Sequence, residues 1–241
     1  MSKIEKNNHI LTGFGSNILG NFLMFATTIF LTRSFDPEIY GEFRLLFSFI
    51  ALAVIIFLLG RDNGIIYFTQ HNKTYEDKII IEETFFGFFV LCIGAFLLYI
   101  FGNEIIDIFL NQSITIENYN LSLLMIPLWG FFNLLLAAIK AKGMINYSFV
   151  LSNLIQRVSR IPFFILLALL STSYYSLALG MIISQILLVY LAVKKLSFLK
   201  NIKEIDFRNF FTRFSYALQL GFNAIVVVLL TKIDVIMVGK F

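Results

Sequence analysis

Long apolar stretches recur along the whole chain, and short polar segments separate them. The stretches lie near residues 10–31, 43–60, 84–101, 121–139, 147–170, 174–193 and 214–237. Each is close to the roughly 20 apolar residues with which an α-helix crosses a bilayer core. They lack the alternation of polar and apolar residues that is typical of membrane barrel strands, and backbone amides in lipid must be bonded within their own segment. The pattern predicts an all-α, polytopic transmembrane helix bundle.

The composition supports this prediction. Hydrophobic residues make up 59% of the chain and charged residues 14%, whereas soluble domains carry about 25% charged residues. The mean hydropathy is +0.84. We therefore expect a multi-pass protein whose principal surroundings are the lipid bilayer.

Basic residues fall on alternate sides of the apolar stretches. The N-terminal segment and the second, fourth and sixth loops carry Lys3, Lys6, Arg61, Lys73, Lys78, Lys140, Lys142, Lys194, Lys195, Lys200, Lys203, Arg208 and Arg213. The first loop has only Arg33 and Arg44, and the third and fifth loops have no Lys or Arg. The positive-inside rule predicts a cytoplasmic N-terminus in a bacterial or archaeal inner membrane. Because the basic residues are dispersed over these loops, we expect no nucleic acid partner.

The polar segments offer no catalytic chemistry. The longest, near 61–83 and 194–213, contain no nucleophile motif, phosphate loop or zinc pattern. Their acidic pairs, Glu76/Asp77 and Glu82/Glu83, are interpreted as solvated loop charges. The single cysteine, Cys92, excludes an intrachain disulfide, and the two histidines have no ligand spacing. We expect no enzyme activity, no metal and no cofactor.

Polar residues inside the first stretch share one helical face. Gly13, Asn17, Asn21 and Thr28 recur at intervals of four or seven residues. Such a stripe faces protein or water and not lipid. Helix packing through small and amide residues is one interpretation, and the lining of a polar cavity is the other.

The fifth stretch carries the strongest charge. Asn153, Gln156, Arg157 and Arg160 follow the i, i+3, i+4, i+7 pattern of one helix face. An arginine at the centre of a membrane helix costs about 2.5–3.5 kcal/mol on insertion scales. The two arginines are therefore predicted to line a polar cavity, and the alternative is that they extend to cytoplasmic phosphates from a tilted helix. In the last stretch, Asp234 is a candidate for ion coupling or an interface residue beside Lys232.

Four segments resemble the polysaccharide and O-antigen flippases, a branch of the multidrug/oligosaccharidyl-lipid/polysaccharide exporter superfamily. They are residues 31–43 (LTRSFDPEIYGEF), 60–68 (GRDNGIIYF), 138–143 (AIKAKG) and 232–241 (KIDVIMVGKF). They occur in the family's order and on matching predicted helices. The resemblance implies a two-lobed fold with twelve to fourteen helices, in which residues 1–209 form the N-terminal six-helix lobe and 210–241 begin a truncated second lobe. Relatives usually carry a proline early in the seventh helix, where this chain has Leu218 to Asn223.

The resemblance also implies a function. A flippase moves undecaprenyl-pyrophosphate-linked oligosaccharides for O-antigen, capsule or exopolysaccharide synthesis across the membrane by alternating access, together with a polysaccharide polymerase and a chain-length regulator. Arg33 and Arg61, which lie in the segments that carry the resemblance, join Arg157, Arg160, Asn153, Gln156, Asn17 and Asn21 as candidate substrate-binding residues. The alternatives are a non-functional or half-size fragment, a cation-coupled drug exporter of the same superfamily, and a membrane-embedded polymerase or acyltransferase.

Overall fold

The computed structural model describes residues 3–71, 75–110, 114–196, 213–223, 225–227 and 230, with side chains from Thr12 onward except at 108 and 109. Every regular element in these ranges is helical, which confirms the all-α prediction. The elements are α1 (Lys3–Ser34), α2 (Pro37–Leu58), α3 (Arg61–His71), α4 (Glu76–Ile100), α5 (Gly102–Phe109), α6 (Ile116–Leu123), α7 (Met125–Ala141), α8 (Ile145–Phe149), a π-helical turn (Val150–Ile155), α9 (Gln156–Leu170) and α10 (Tyr174–Lys195). Residues 213–223 form a further helical segment.

Six helical stretches are long and apolar enough to cross a membrane, as the sequence predicted. They are Thr12–Ser34, Pro37–His71, Glu76–Ile100, Ile116–Ala141, Ile145–Leu170 and Tyr174–Lys195, counted over the residues described above. The seventh predicted span, 214–237, falls mostly outside those residues. The protein is thus a multi-pass membrane helix bundle.

Helix α7 is the centre of the bundle. It packs against α2, α3, α4 and α10, and its Leu134, Leu135 and Ile139 are fully buried. The spans formed by α1 and by α8 to α9 are the least buried of the six. Large apolar side chains therefore remain exposed on these two spans, including Phe22, Phe25, Leu169 and Leu170.

The segment predicted as a long loop at 61–83 is mostly helical, so that prediction is wrong. Leu59 (φ 51°) and Gly60 (φ 73°) adopt left-handed backbone conformations, which end α2 before α3 begins at Arg61. Glycine tolerates this conformation because it has no Cβ. Helix α4 starts at Glu76, so only residues 72–75 separate α3 from α4.

The two acidic pairs have different surroundings. Glu82 and Glu83 are buried, so their interpretation as solvated charges is wrong. Glu83 accepts a hydrogen bond from Arg61 at 2.9 Å, and Arg213 contacts both glutamates. The partners were missed because they lie far along the chain.

At the start of α4, Glu76 and Asp77 are exposed enough for a conventional surface pair. Both contact Lys142, which follows α7. Partial burial lowers the pKa of Lys142, but hydrogen bonds to Asp77 and Glu76 outweigh burial, so its pKa is raised. The interaction of Lys142 with these two carboxylates links the N-terminal end of α4 to the C-terminal end of α7. Both carboxylates are partly exposed to solvent, in contrast to the buried Glu82 and Glu83.

Candidate functional site

A cavity lies between the helices that carry the predicted cationic face. Its charged lining consists of Arg44 from α2 together with Arg157 and Arg160 from α9. Its other polar lining is Thr27, Thr28 and Tyr40, and its apolar lining is Met24, Leu31, Phe43, Phe47, Phe164 and Met181. The cavity therefore combines three guanidinium groups with hydroxyl groups and an apolar wall.

Arg157 connects the fifth span to the polar stripe of the first. Its Nη1 donates to Asn21 Oδ1 at 2.7 Å and to the Asn17 carbonyl oxygen at 3.5 Å. Asn21 thus contacts a cavity arginine through its side-chain amide, whereas Asn17 contacts the same arginine through its backbone carbonyl. Neither asparagine is itself among the lining residues. Of the polar stripe, Thr28 lines the cavity, whereas Asn17 and Asn21 contribute helix packing through Arg157.

Arg160 is held between an amide and an aromatic ring. In the amide orientation that satisfies both neighbours, Gln156 donates to the Ser152 carbonyl and accepts from Arg160 Nη2 at 3.1 Å. The Arg160 guanidinium lies 5.9 Å from the centroid of the Phe47 ring, within the range of a cation–π contact. Its buried Nε has no hydrogen-bond partner in the described part of the protein. Arg160 is also one of the cavity-lining residues, which places its guanidinium group beside the space that a ligand would occupy.

Arg44 is the cavity residue that the sequence interpretation missed. We expected it in the loop after the first span, but α2 already begins at Pro37 and carries Arg44 into the cavity wall. Tyr40, Phe43, Arg44 and Phe47 have the spacing of one helix face, a signal that was available in the sequence. The nearest carboxylate along the chain, Glu42, accepts instead from Asn118 Nδ2 at 2.9 Å.

The sequence of this protein matches the family described as "Polysaccharide biosynthesis protein" over residues 8–241. The chain belongs to this family. Members of the polysaccharide biosynthesis family are polysaccharide and O-antigen flippases and related exporters, which are transporters and not enzymes. Comparisons with curated proteins and with solved structures gave no match.

A π-helical turn precedes the arginines of this family member. The turn, Val150–Ile155, packs against α1, and such turns are frequent at functional sites. It places Asn153 so that its backbone carbonyl faces Gly20, where any Cβ would overlap this oxygen and lie 2.6 Å from Arg157 Nη1. Gly20 therefore permits the close approach of α1 on which the Arg157 contacts depend.

Four further predicted site residues are not among the cavity-lining residues. Two of them are Asn153 and Gln156, of which Gln156 accepts a hydrogen bond from Arg160. Arg33 is exposed in the last turn of α1. Arg61 is fully buried at the start of α3 and paired with Glu83, so it belongs to a separate charge cluster. Asp234 lies outside the described residues.

Substitution of Gly20 by alanine is expected to loosen the contact between α1 and the π-helical turn. The added Cβ would force apart two backbones, and overpacking of this kind costs about 1–3 kcal/mol. The matched control is Gly15→Ala in the same helix, where a Cβ meets nothing within 4 Å. We expect the melting temperature of the purified protein to fall for Gly20→Ala and to stay equal or rise slightly for Gly15→Ala. Equal melting temperatures for the two variants would show that the contact is dispensable.

Proposed function

We propose that this protein translocates polyprenyl-pyrophosphate-linked oligosaccharides across a bacterial or archaeal inner membrane, with its N-terminus in the cytoplasm. The observation that carries the proposal is the convergence of Arg44, Arg157 and Arg160 on one cavity between membrane-spanning helices. Within the described ranges, none of the three forms an ion pair with a carboxylate. Three such charges favour an anionic ligand.

A pyrophosphate suits these three side chains. Guanidinium groups donate several hydrogen bonds in a fixed fork that matches phosphate oxygens, and such charge-assisted bonds are about twice as strong as neutral ones. Arg157 is already oriented by Asn21, and Arg160 by Gln156. Fixed donors lose less entropy on binding than mobile ones. The head group therefore meets partly preorganised cations.

The hydroxyl groups of the lining suit a sugar. Thr27 and Thr28 donate their protons to the carbonyl oxygens of Leu23 and Met24, which leaves the lone pairs of both hydroxyl oxygens as acceptors. Sugar hydroxyl groups supply the matching donors. The aromatic rings of Tyr40 and Phe43 provide an apolar wall on which sugar rings stack.

The polyprenyl tail would stay in lipid beside the exposed apolar faces of α1 and α9. Residues 1–209 would act as one lobe and residues 210–241 as the first helix of a second. Rocking of the two lobes would open the cavity to each side of the membrane in turn, as in other repeat-built transporters. A cation-coupled drug exporter would favour carboxylates in the cavity, and the lining of this cavity is cationic.

The proposal is tested by flipping in reconstituted vesicles that contain the protein expressed from its complete reading frame. The probe is a fluorescent oligosaccharide on a polyprenyl pyrophosphate, quenched from outside the vesicle. We expect protein-dependent loss of protected probe for this lipid and none for the same oligosaccharide on a neutral polyprenyl ether. Equal transport of both lipids, or of neither, would overturn the assignment of a pyrophosphate-linked substrate.

A further inference from the structure

A second group of charged side chains lies outside the cavity, where helical residues 213–223 contact α3 and α4. Arg61 Nη1 donates to Glu83 Oε2 at 2.9 Å. Arg213 Nη2 donates to Glu82 Oε2 at 2.5 Å, and Arg213 Nε lies 3.1 Å from Glu83 Oε1. All four residues are at most 8% exposed. We call them the charge cluster.

The backbones approach closely beside this cluster. A Cβ at Gly60 would lie 2.4 Å or less from backbone atoms of residues 217 and 221, and a Cβ at Gly221 would lie 2.6 Å from the Leu59 carbonyl carbon. The backbone of the 213–223 segment therefore packs directly against the helix break at Leu59 and Gly60. A contact between two glycines permits this distance because neither has a side chain.

Aromatic side chains extend the same contact. The rings of Tyr67 and Tyr216 stack with centroids 4.4 Å apart, and Phe68 meets Tyr216 edge-on at 5.4 Å. The Arg61 guanidinium lies 5.1 Å from the Phe214 ring centroid. Ala217, between these groups, is 2% exposed. Polar, backbone and aromatic contacts thus all hold the 213–223 segment on the break between α2 and α3.

We propose that the charge cluster is a latch that switches the 213–223 segment between a docked and a released position. In the docked position, the guanidinium groups of Arg61 and Arg213 contact the two buried carboxylates. Withdrawal of Arg213 would take a positively charged partner away from both Glu82 and Glu83 in a low-dielectric site, which is strongly unfavourable. Partial separation is therefore unfavourable, and the segment is either fully docked or released with water at the carboxylates. The use of this switch in transport rests on the proposed function, because the segment would begin the second lobe.

The latch is tested by the reactivity of a cysteine at position 217. Cys92 is the chain's single cysteine, so Cys92→Ser gives a cysteine-free background for Ala217→Cys. The full chain in membrane vesicles is treated with a water-soluble maleimide. We expect slow labelling in the otherwise unchanged protein and labelling at least ten times faster after Arg213→Gln.

Three further variants separate the latch from general damage. Gly221→Ala introduces a clash with Leu59 and Gly60 and should also accelerate labelling, whereas Arg213→Lys, which keeps the positive charge, should label more slowly than Arg213→Gln. Lys142→Gln removes a more exposed pair from the same helix, α4, and should leave the labelling rate unchanged. Only variants that elute from gel filtration as the same monodisperse peak as the unchanged protein, with the same helical circular dichroism, are compared.

Unchanged labelling in folded Arg213→Gln protein would overturn the latch, and so would equal acceleration by Lys142→Gln. The measurement requires no transport substrate. If labelling behaves as expected while the vesicles flip no lipid-linked sugar, the latch stands and the proposed function falls. If the vesicles flip the lipid-linked sugar but Arg213→Gln does not change the labelling rate, the proposed function stands and the latch falls.

Discussion

Replacement of Arg160 by alanine is expected to lower the initial rate of lipid-linked oligosaccharide flipping by about 10- to 100-fold. Hydrogen bonds to charged groups contribute about 1.5–3 kcal/mol, and about 1.4 kcal/mol corresponds to a factor of ten. Arg160 lines the cavity and is held by Gln156, so its guanidinium group is positioned for an anionic ligand. The measurement is the vesicle flipping rate at equal amounts of folded protein.

Matched variants show whether the loss comes from the cavity. Arg160→Lys keeps the charge but not the planar fork, and should retain part of the rate. Lys194→Ala removes an exposed charge near the end of α10 and should leave the rate unchanged. A normal rate for Arg160→Ala, or an equal loss for Lys194→Ala, would contradict the role of Arg160 in binding.

Removal of the Glu83 side chain is expected to destabilise the protein strongly. Glu83→Ala deprives Arg61 of a buried partner at 2.9 Å and also removes a contact of Arg213. Loss of one partner from a buried ion pair typically costs about 3–5 kcal/mol, because the other charge stays buried. Asp77→Ala on the same helix should cost at most about 1 kcal/mol, since Asp77 pairs with Lys142 where solvent screens the charges.

The comparison of these two variants is made by thermal unfolding in detergent. For a chain of this size, each kcal/mol corresponds to roughly 2–4 °C in melting temperature. We expect a clear loss for Glu83→Ala and a small one for Asp77→Ala. Similar melting temperatures for the two variants would mean that the buried charge cluster contributes no more to stability than the exposed pair does.

The membrane architecture was predictable because the length of an apolar stretch is a physical requirement of the bilayer. The same cost argument identified Arg157 and Arg160, and both line the cavity. Arg44 was missed for a local reason, since it was assigned to a loop although α2 had begun several residues before it.

The charge cluster was missed for a different reason. Glu83 pairs with Arg61, which is 22 residues away, and Glu82 with Arg213, which is 131 residues away. Hydrophobic periodicity reports which face of a helix is buried, but it does not report which distant charge meets a buried carboxylate. The burial of Glu82 and Glu83 therefore depends on tertiary contacts that no local pattern in the sequence specifies.

The direction in which the cavity arginines point depends on the number of residues in the π-helical turn at Val150–Ile155. A π turn accommodates an additional residue relative to an α turn, and one residue corresponds to about 100° of rotation around an α-helix. Deletion of a single residue within this turn would preserve every arginine, yet it would rotate Arg157 and Arg160 away from Asn21 and toward another side of the helix. Homologous proteins that share the arginines but differ by one residue in this turn would therefore present their charges to a different neighbour.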